Sequence, residues 1–205
     1  PNNIIIINLP EMRLYYFKNN EVFIAPIGIG VKGSLPPLGI YTIIRKSEKP
    51  TWYPPPSVKA EDPTLPDIVP PGPDNPMGDY ALYLSRGLYA IHGTNKVYSI
   101  GRRSTHGCIR LYPDDIEFLY KTVPVGTLVK IVYEPYKLAI QNKKIYLQIY
   151  PDVENLIKNP IQHIIQKLDI IAERKKINYQ IDLITLEKAL EKADGSIYKI
   201  GKVKE

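Results

Sequence analysis

Half of the chain's 20 prolines fall between residues 50 and 76, including Pro54-Pro55-Pro56 and Pro70-Pro71. Proline fixes φ and supplies no backbone N–H, so this stretch is expected to form neither a central strand nor a helix. Any sheet begun before residue 50 must be interrupted here by a long connection. Connections of this length inside a domain are either functional or disordered. Trp52, Tyr53, Leu65, Ile68 and Val69 supply apolar bodies that a disordered linker lacks. An ordered flap lying on a surface is the expectation, placed to act as a lid.

Both flanks of the flap read as β structure. Ile4 to Leu9 and Met12 to Phe17 are apolar and aromatic runs, and Asn19-Asn20 turns the second into Val22-Phe23-Ile24. Further strand candidates are Gly39 to Ile44, Tyr80 to Leu84, Leu88 to Ile91, Leu128 to Tyr133 and Ile145 to Tyr150. Asp114-Asp115 ahead of Ile116, Phe118, Leu119 and Tyr120 reads as a short capped helix. After Pro151 the period changes. Asn155 to Lys175 carries apolar residues at helical spacings, and Leu183, Leu186, Ala189 and Leu190 suggest a second helix stopped by Gly195. The organisation expected is a mainly β domain over residues 1–150 and a helical C-terminal extension over 151–205.

Composition narrows the function classes. Hydrophobic residues at 44% are enough to bury a core, and no apolar run is long enough for a transmembrane helix. The net charge of +6 is scattered, which argues against a nucleic-acid-binding stripe. The chain begins at Pro1 and Ile4-Ile5-Ile6-Ile7 is too short for a signal-peptide core, so any export signal is expected to lie outside it. A single cysteine excludes an internal disulfide framework and any multi-cysteine zinc site.

That cysteine sits in an unusual neighbourhood: Ile91-His92-Gly93-Thr94-Asn95, and then Ser104-Thr105-His106-Gly107-Cys108-Ile109-Arg110-Leu111. A thiol is mostly protonated at neutral pH, so a nucleophilic Cys108 needs an imidazole beside it. On a strand, His106 is too close in sequence to reach the thiol squarely. His92, one hairpin away, is the better base. Gly107 lets the backbone approach a substrate, and its N–H with that of Cys108 is a candidate oxyanion hole. Arg110 offers a planar fork for a carboxylate. A buried, inert Cys108 is the bland alternative, but Ser-Thr-His-Gly does not line an apolar core. A metal set of His92, His106 and Cys108 lacks a second cysteine pair and an acidic partner. His163 reads as an ordinary helix residue.

These two motifs together resemble the signature of the L,D-transpeptidase catalytic domain, the YkuD-like fold. The resemblance runs from Ile4 to about Tyr150 and is nearest the exported Gram-negative branch. It implies a β sandwich of about eight strands and acyl transfer from peptidoglycan tetrapeptide stems, without a cofactor or metal. Cys108 would attack the donor carbonyl and expel the terminal D-alanine. His92 would activate the thiol, with the Gly93 carbonyl orienting its ring. Ser104, Thr105, His106, Gly107, Arg110 and Asn95 carry over as pocket residues. Acylation by a carbapenem is expected. Arg110 stands where the family most often has Asn, and Pro36-Pro37-Leu38-Gly39 departs from the usual Thr-Pro-x-Gly. The family's frequent sugar-binding repeat is absent, and the tail after Pro151 has no assigned counterpart.

The acceptor is left open by the resemblance. A second stem's amine would give a 3→3 cross-link, and an outer-membrane protein or lipoprotein amine would give wall anchoring. Water would make the enzyme a hydrolase, and a non-catalytic wall-binding module is the remaining alternative. All of these place the protein in the periplasm.

Overall fold

The computed structural model describes residues 3–204, and the chain folds as two units, Pro1–Tyr133 and Glu134–Glu205. In the first unit Ile4–Asn8 (β1), Arg13–Lys18 (β2) and Glu21–Pro26 (β3) form an antiparallel meander. Asn19 and Asn20 make its second turn at φ 48° and 66°. A two-residue hairpin turn of the primed type needs two such left-handed residues, which Asn tolerates better than most. Then follow Ile29–Gly30 (β4), Gly39–Glu48 (β5), Pro56–Glu61 (α1), Tyr80–Leu84 (β6) and Ala90–His92 (β7). Arg103–Thr105 (β8), Ile109–Arg110 (β9), Pro113–Thr122 (α2) and Leu128–Val132 (β10) complete the unit.

Eight of these strands make one sheet in the order β3-β2-β1-β10-β5-β6-β7-β9, and β4 pairs with β8 in a separate ribbon. The pairs β1–β10 and β7–β9 are parallel, and the other neighbours in the sheet are antiparallel. Gly28, just beyond edge strand β3, exchanges two backbone hydrogen bonds of 2.9 and 3.0 Å with Arg110 in the opposite edge strand β9. The sheet therefore folds over on itself, which is how this chain builds the expected sandwich. Ile5, Ile7, Leu14, Tyr41, Ile43, Leu82, Ile91 and Ile109 fill its interior. Helix α2 lays Ile116 and Leu119 on that core, with Tyr120 against Tyr80 at 4.7 Å between ring centres. No side chain caps α2. Pro113 opens it after Tyr112, and Asp114 and Asp115 lie in its first turn, where they favour the helix dipole instead.

The proline-dense segment is ordered, and it does contain a helix. Helix α1 starts on Pro56, a position where the missing N–H would have had no partner in any case. Trp52 and Val69 exchange two backbone hydrogen bonds, both 2.9 Å, that close the segment's base. Asn75, fully buried, fastens that base. Its Nδ2 donates to the carbonyls of Pro50, Val69 and Pro70 at 2.8, 3.2 and 3.2 Å, and its Oδ1 accepts from the Met77 N–H at 2.9 Å.

In the second unit, Tyr136–Gln141 (β11), Lys144–Ile149 (β12), Asn178–Ile181 (β13) and Ile197–Lys204 (β14) form a sheet in the order β11-β12-β14-β13. Pro160–Lys175 (α3) and Leu183–Lys192 (α4) bury Ile164, Leu168, Leu186 and Ala189 against Ile145, Leu147, Ile149 and Ile200. The boundary expected at 150 thus falls seventeen residues earlier, after Tyr133. The cause is pairing: β12 bonds to β11 and β14, so residues 136–149 belong to the C-terminal sheet. The extension has the expected helices but is not helical alone. Its first helix begins at Pro160, capped by Asn159, and its second ends at Ala193, left-handed at φ 40°, ahead of Gly195.

Candidate active site

Strand β7 ends on His92 and runs parallel to β9, with Ile91 opposite Ile109 and His92 opposite Arg110. The expected hairpin between them is replaced by a crossover, because β8 leaves the sheet to pair with β4. The result serves the same end. Parallel pairing brings His92, Arg110 and the residue preceding β9, Cys108, to the wall of one cavity of about 360 Å³.

His106, Gly107 and Cys108 lie in the turn between β8 and β9, not on a strand. Thr105 braces this turn: its Oγ1 accepts from the Gly107 N–H at 3.1 Å and donates to the Cys108 carbonyl at 2.7 Å. The Gly107 N–H is therefore already engaged and does not supply the oxyanion donor expected of it. Glycine is required there for another reason. Its φ is 113°, and a Cβ would sit 2.8 Å from the Tyr89 ring.

His92 is buried, and its Nδ1 lies 2.6 Å from the Gly93 carbonyl. That bond assigns the proton to Nδ1 and leaves Nε2 with a free lone pair. Burial, and then the positive charge of Arg110, pull the imidazole pKa down to about 4, against smaller opposing contributions from the Gly93 and Met77 backbone. Burial likewise raises the Cys108 thiol, against a hydrogen bond from Ala90 and the field of Arg110. Burial thus favours the neutral form of both groups, which line the same cavity, and the thiol's own hydrogen bond in this structure runs to the Leu88 carbonyl at 3.8 Å. The Arg110 Nε is buried without a hydrogen-bond partner among the described residues, as is the Ser104 Oγ.

One wall of the cavity is the proline-rich segment, through Trp52, Pro55, Pro56 and Val58, and Leu88 and Tyr89 form another. His106 faces this cavity too, and its Nε2 lies 3.4 Å from Glu61 on α1. Asn95 is not in the cavity. Its Nδ2 donates to the Pro73 carbonyl at 2.9 Å, so it braces the end of the flap. Gly93 packs under Ile116, where a Cβ would meet the Ile116 Cγ2 at 3.1 Å. Among the described residues no three His, Cys, Asp or Glu side chains converge as a metal set, so His92, His106 and Cys108 do not form one. Asn75, Tyr89 and Glu61 are site residues that sequence reasoning missed. Asn75 had a signal, an Asn ahead of Pro76 in a turn-rich run, but nothing marked it as buried.

A family model for the YkuD L,D-transpeptidase catalytic domain matches residues 2–131, nearly the whole of the first unit. The chain belongs to this family. It is 51% identical over 144 residues to "Probable L,D-transpeptidase ErfK/SrfK" of Escherichia coli, covering 67% of this chain and 46% of that protein. Against "Probable L,D-transpeptidase YbiS" of the same organism the values are 50%, 67% and 47%. The chain spans about half the length of these relatives. Both are Gram-negative proteins, as the sequence resemblance implied. Among solved structures, L,D-transpeptidase 3 from Mycobacterium tuberculosis superposes with TM-score 0.51 at 17% identity, over 64% of this chain and 61% of that one. An L,D-transpeptidase from Mycobacterium smegmatis gives 0.50 at 20%, over 64% and 58%. At such identities the likeness speaks to the fold, and it supports the sandwich.

Proposed function

We propose that the first unit is a cysteine L,D-transpeptidase acting on peptidoglycan tetrapeptide stems. The observation that carries this reading is the convergence of Cys108, an unprotonated His92 fixed through Gly93, and Arg110 on one walled cavity. Cys108 Sγ attacks the donor carbonyl while its proton passes to His92 Nε2. The Cys108 N–H is the donor left for the oxyanion, since Thr105 holds that of Gly107. Collapse expels D-alanine, whose amine takes the proton from His92, and leaves a thioester on Cys108. An acceptor amine then attacks the thioester, again with His92 taking the proton, and releases the thiol. Arg110 is suited to a donor carboxylate, because its buried Nε has no protein partner to lose. Thr105 and His106 line the pocket, Ser104 and Gly107 flank them in the chain, and none of the four transfers protons.

The acceptor is a stem amine or the amine of a wall-anchored outer-membrane protein or lipoprotein, with water as a side reaction, and the reaction site is the periplasm. The flap wall built around Trp52 is suited to limit that water. Intact-protein mass spectrometry after incubation with purified tetrapeptide muropeptides should show the wild type heavier by the donor minus D-alanine, and Cys108→Ala unmodified. A carbapenem should modify the same residue. Folded wild-type protein that stays unmodified by both would end this reading.

A further inference from the structure

The sheet of the second unit has two unlike faces. One carries Ile145, Leu147 and Ile149 under the helices, and the other carries an exposed Lys144 with Tyr146 and Gln148 half-buried. On that second face Lys144 stands directly opposite Lys202, and Tyr146 directly opposite Lys199. Lys204, opposite Asn178, extends the row past Gln180. None of these four lysines has a carboxylate within ion-pair distance among the described residues. Like charges directly opposite one another in a sheet repel, so Lys144 facing Lys202 is unfavourable for folding as such. Nor is it edge protection, the ordinary use of lysine on strands. Strands β12 and β14 are the two central strands of this sheet.

We propose that this lysine face holds peptidoglycan, through the carboxylates of its stem peptides and the hydroxyls of its glycan. The inference rests on the transpeptidase reading only in taking the wall polymer as the protein's substrate. The choice of ligand follows from the face. It is polar, with Tyr146 and Gln180 set among the cations, as suits sugar rings and spaced carboxylates. It lacks the apolar stripe that a bilayer-inserting surface needs. It also has no arginine, the usual reader of nucleic-acid bases and phosphates. Each lysine contributes weakly alone, and a polymer that presents many carboxylates engages several at once. The second unit would thereby keep the first on its substrate between turnovers.

The test uses the full chain carrying Cys108→Ala, so that binding is read without chemistry, and cosedimentation with purified sacculi at low salt. Replacing Lys144, Lys199, Lys202 and Lys204 together by Gln should weaken sacculus binding by about tenfold and flatten its salt dependence. A matched variant replacing Lys175, Lys176, Lys188 and Lys192 by Gln carries the same change in net charge and should bind as the parent does. Equal losses in both variants would show a net-charge effect and overturn the proposal, as would unchanged binding in the first. Tighter binding of the parent to anionic phospholipid vesicles or to duplex DNA than to sacculi would also overturn it. With Cys108 restored, the first lysine variant should still be acylated by a soluble tetrapeptide at the parental rate. That readout separates the two readings: loss of acylation in the parent itself bears on the enzyme, not on this face. Cooperative unfolding at or above the parental temperature shows that the lysine variant is folded.

Discussion

Every buried polar or charged residue among the described ones, from Asn8 to Thr127, lies in the first unit, whereas the buried residues of the second are all apolar or aromatic. The second unit handles its polar backbone at the surface, with Asn159 and Asp182 capping helices and Lys176 and Ala193 closing them in left-handed turns. The first unit instead holds a neutral imidazole, a protonated thiol and a partnerless Arg110 Nε around one cavity. Burying such groups opposes folding unless they are bonded. The difference separates a structure arranged around a reaction from one arranged around packing, and substitutions in the two units should behave accordingly.

The sharpest contrast is at His92. Removing the base in His92→Gln should slow acylation of Cys108 by about 10²–10⁴-fold, the usual contribution of general-base assistance. The pH profile tests the same residue without mutation. With an imidazole pKa of about 4, the base stays unprotonated well below the ordinary imidazole range. The acid limb of the acylation rate should therefore fall near pH 4. A limb at the ordinary value of 6.5 would mean that the ring is solvated in the free enzyme.

Stability should register the same burial. The unfolded chain binds a proton at His92 near pH 6.5 and the folded chain only near 4, so between these values the unfolded state holds more protons. Stability is then fully present above pH 6.5 and declines as pH falls through this window, by on the order of 3 kcal/mol from this one group. Denaturant titrations of wild type and His92→Gln from pH 7 to pH 4 measure it. The variant should lose less stability across the window, and parallel curves would show that His92 is not buried in solution.

Next in size is Asn75. Asn75→Ala removes the amide that binds the carbonyls of Pro50, Val69 and Pro70 and takes a donor from the buried Pro50 carbonyl. A loss of about 2 kcal/mol is expected, with faster hydrogen exchange at Trp52 and Val69. If the segment is a lid, donor turnover should fall and the hydrolysed share of product should rise. Unchanged product ratios in a folded variant would make the segment an inert wall.

Much of the first unit was legible in the sequence because its signals are local. The Asn19-Asn20 turn, the apolar runs of β1, β2 and β6, and the paired motifs around His92 and Cys108 each carry their own chemistry. What was missed depends on distant partners. Helix α1 was hidden by prolines that suppress helix everywhere except at its first turn, where Pro56 stands. The role of the Gly107 N–H is decided by the rotamer of Thr105, and the burial of Asn75 by loop ends brought together from Pro50 and Val69. Strands β11, β13 and β14 escaped because each buries few side chains. Strand β14 has a single buried residue, Ile200, amid lysines, so its alternation is faint until β12 pairs with it.

The smallest effect is expected where the second unit's rule is broken by one residue. Asn159 caps helix α3 by accepting the Gln162 N–H at 3.1 Å on its Oδ1, which satisfies one of the backbone donors a helix start leaves over. Pro160 follows it and already fixes the first helical φ, so the backbone is set without the cap and only the hydrogen bond is lost. Asn159→Ala should therefore lower stability by about 1 kcal/mol, while Asn159→Ser or Asn159→Asp, which keep an acceptor at that reach, should restore most of it. Acylation of Cys108 by a soluble donor should not change in any of the three, because the described residues lining the cavity around Cys108 all belong to the first unit. Thermal unfolding together with acylation rates for this series checks both statements. A fall in acylation that tracks the cap would show that the second unit's packing reaches the catalytic cavity, and the division between the two units would then fail.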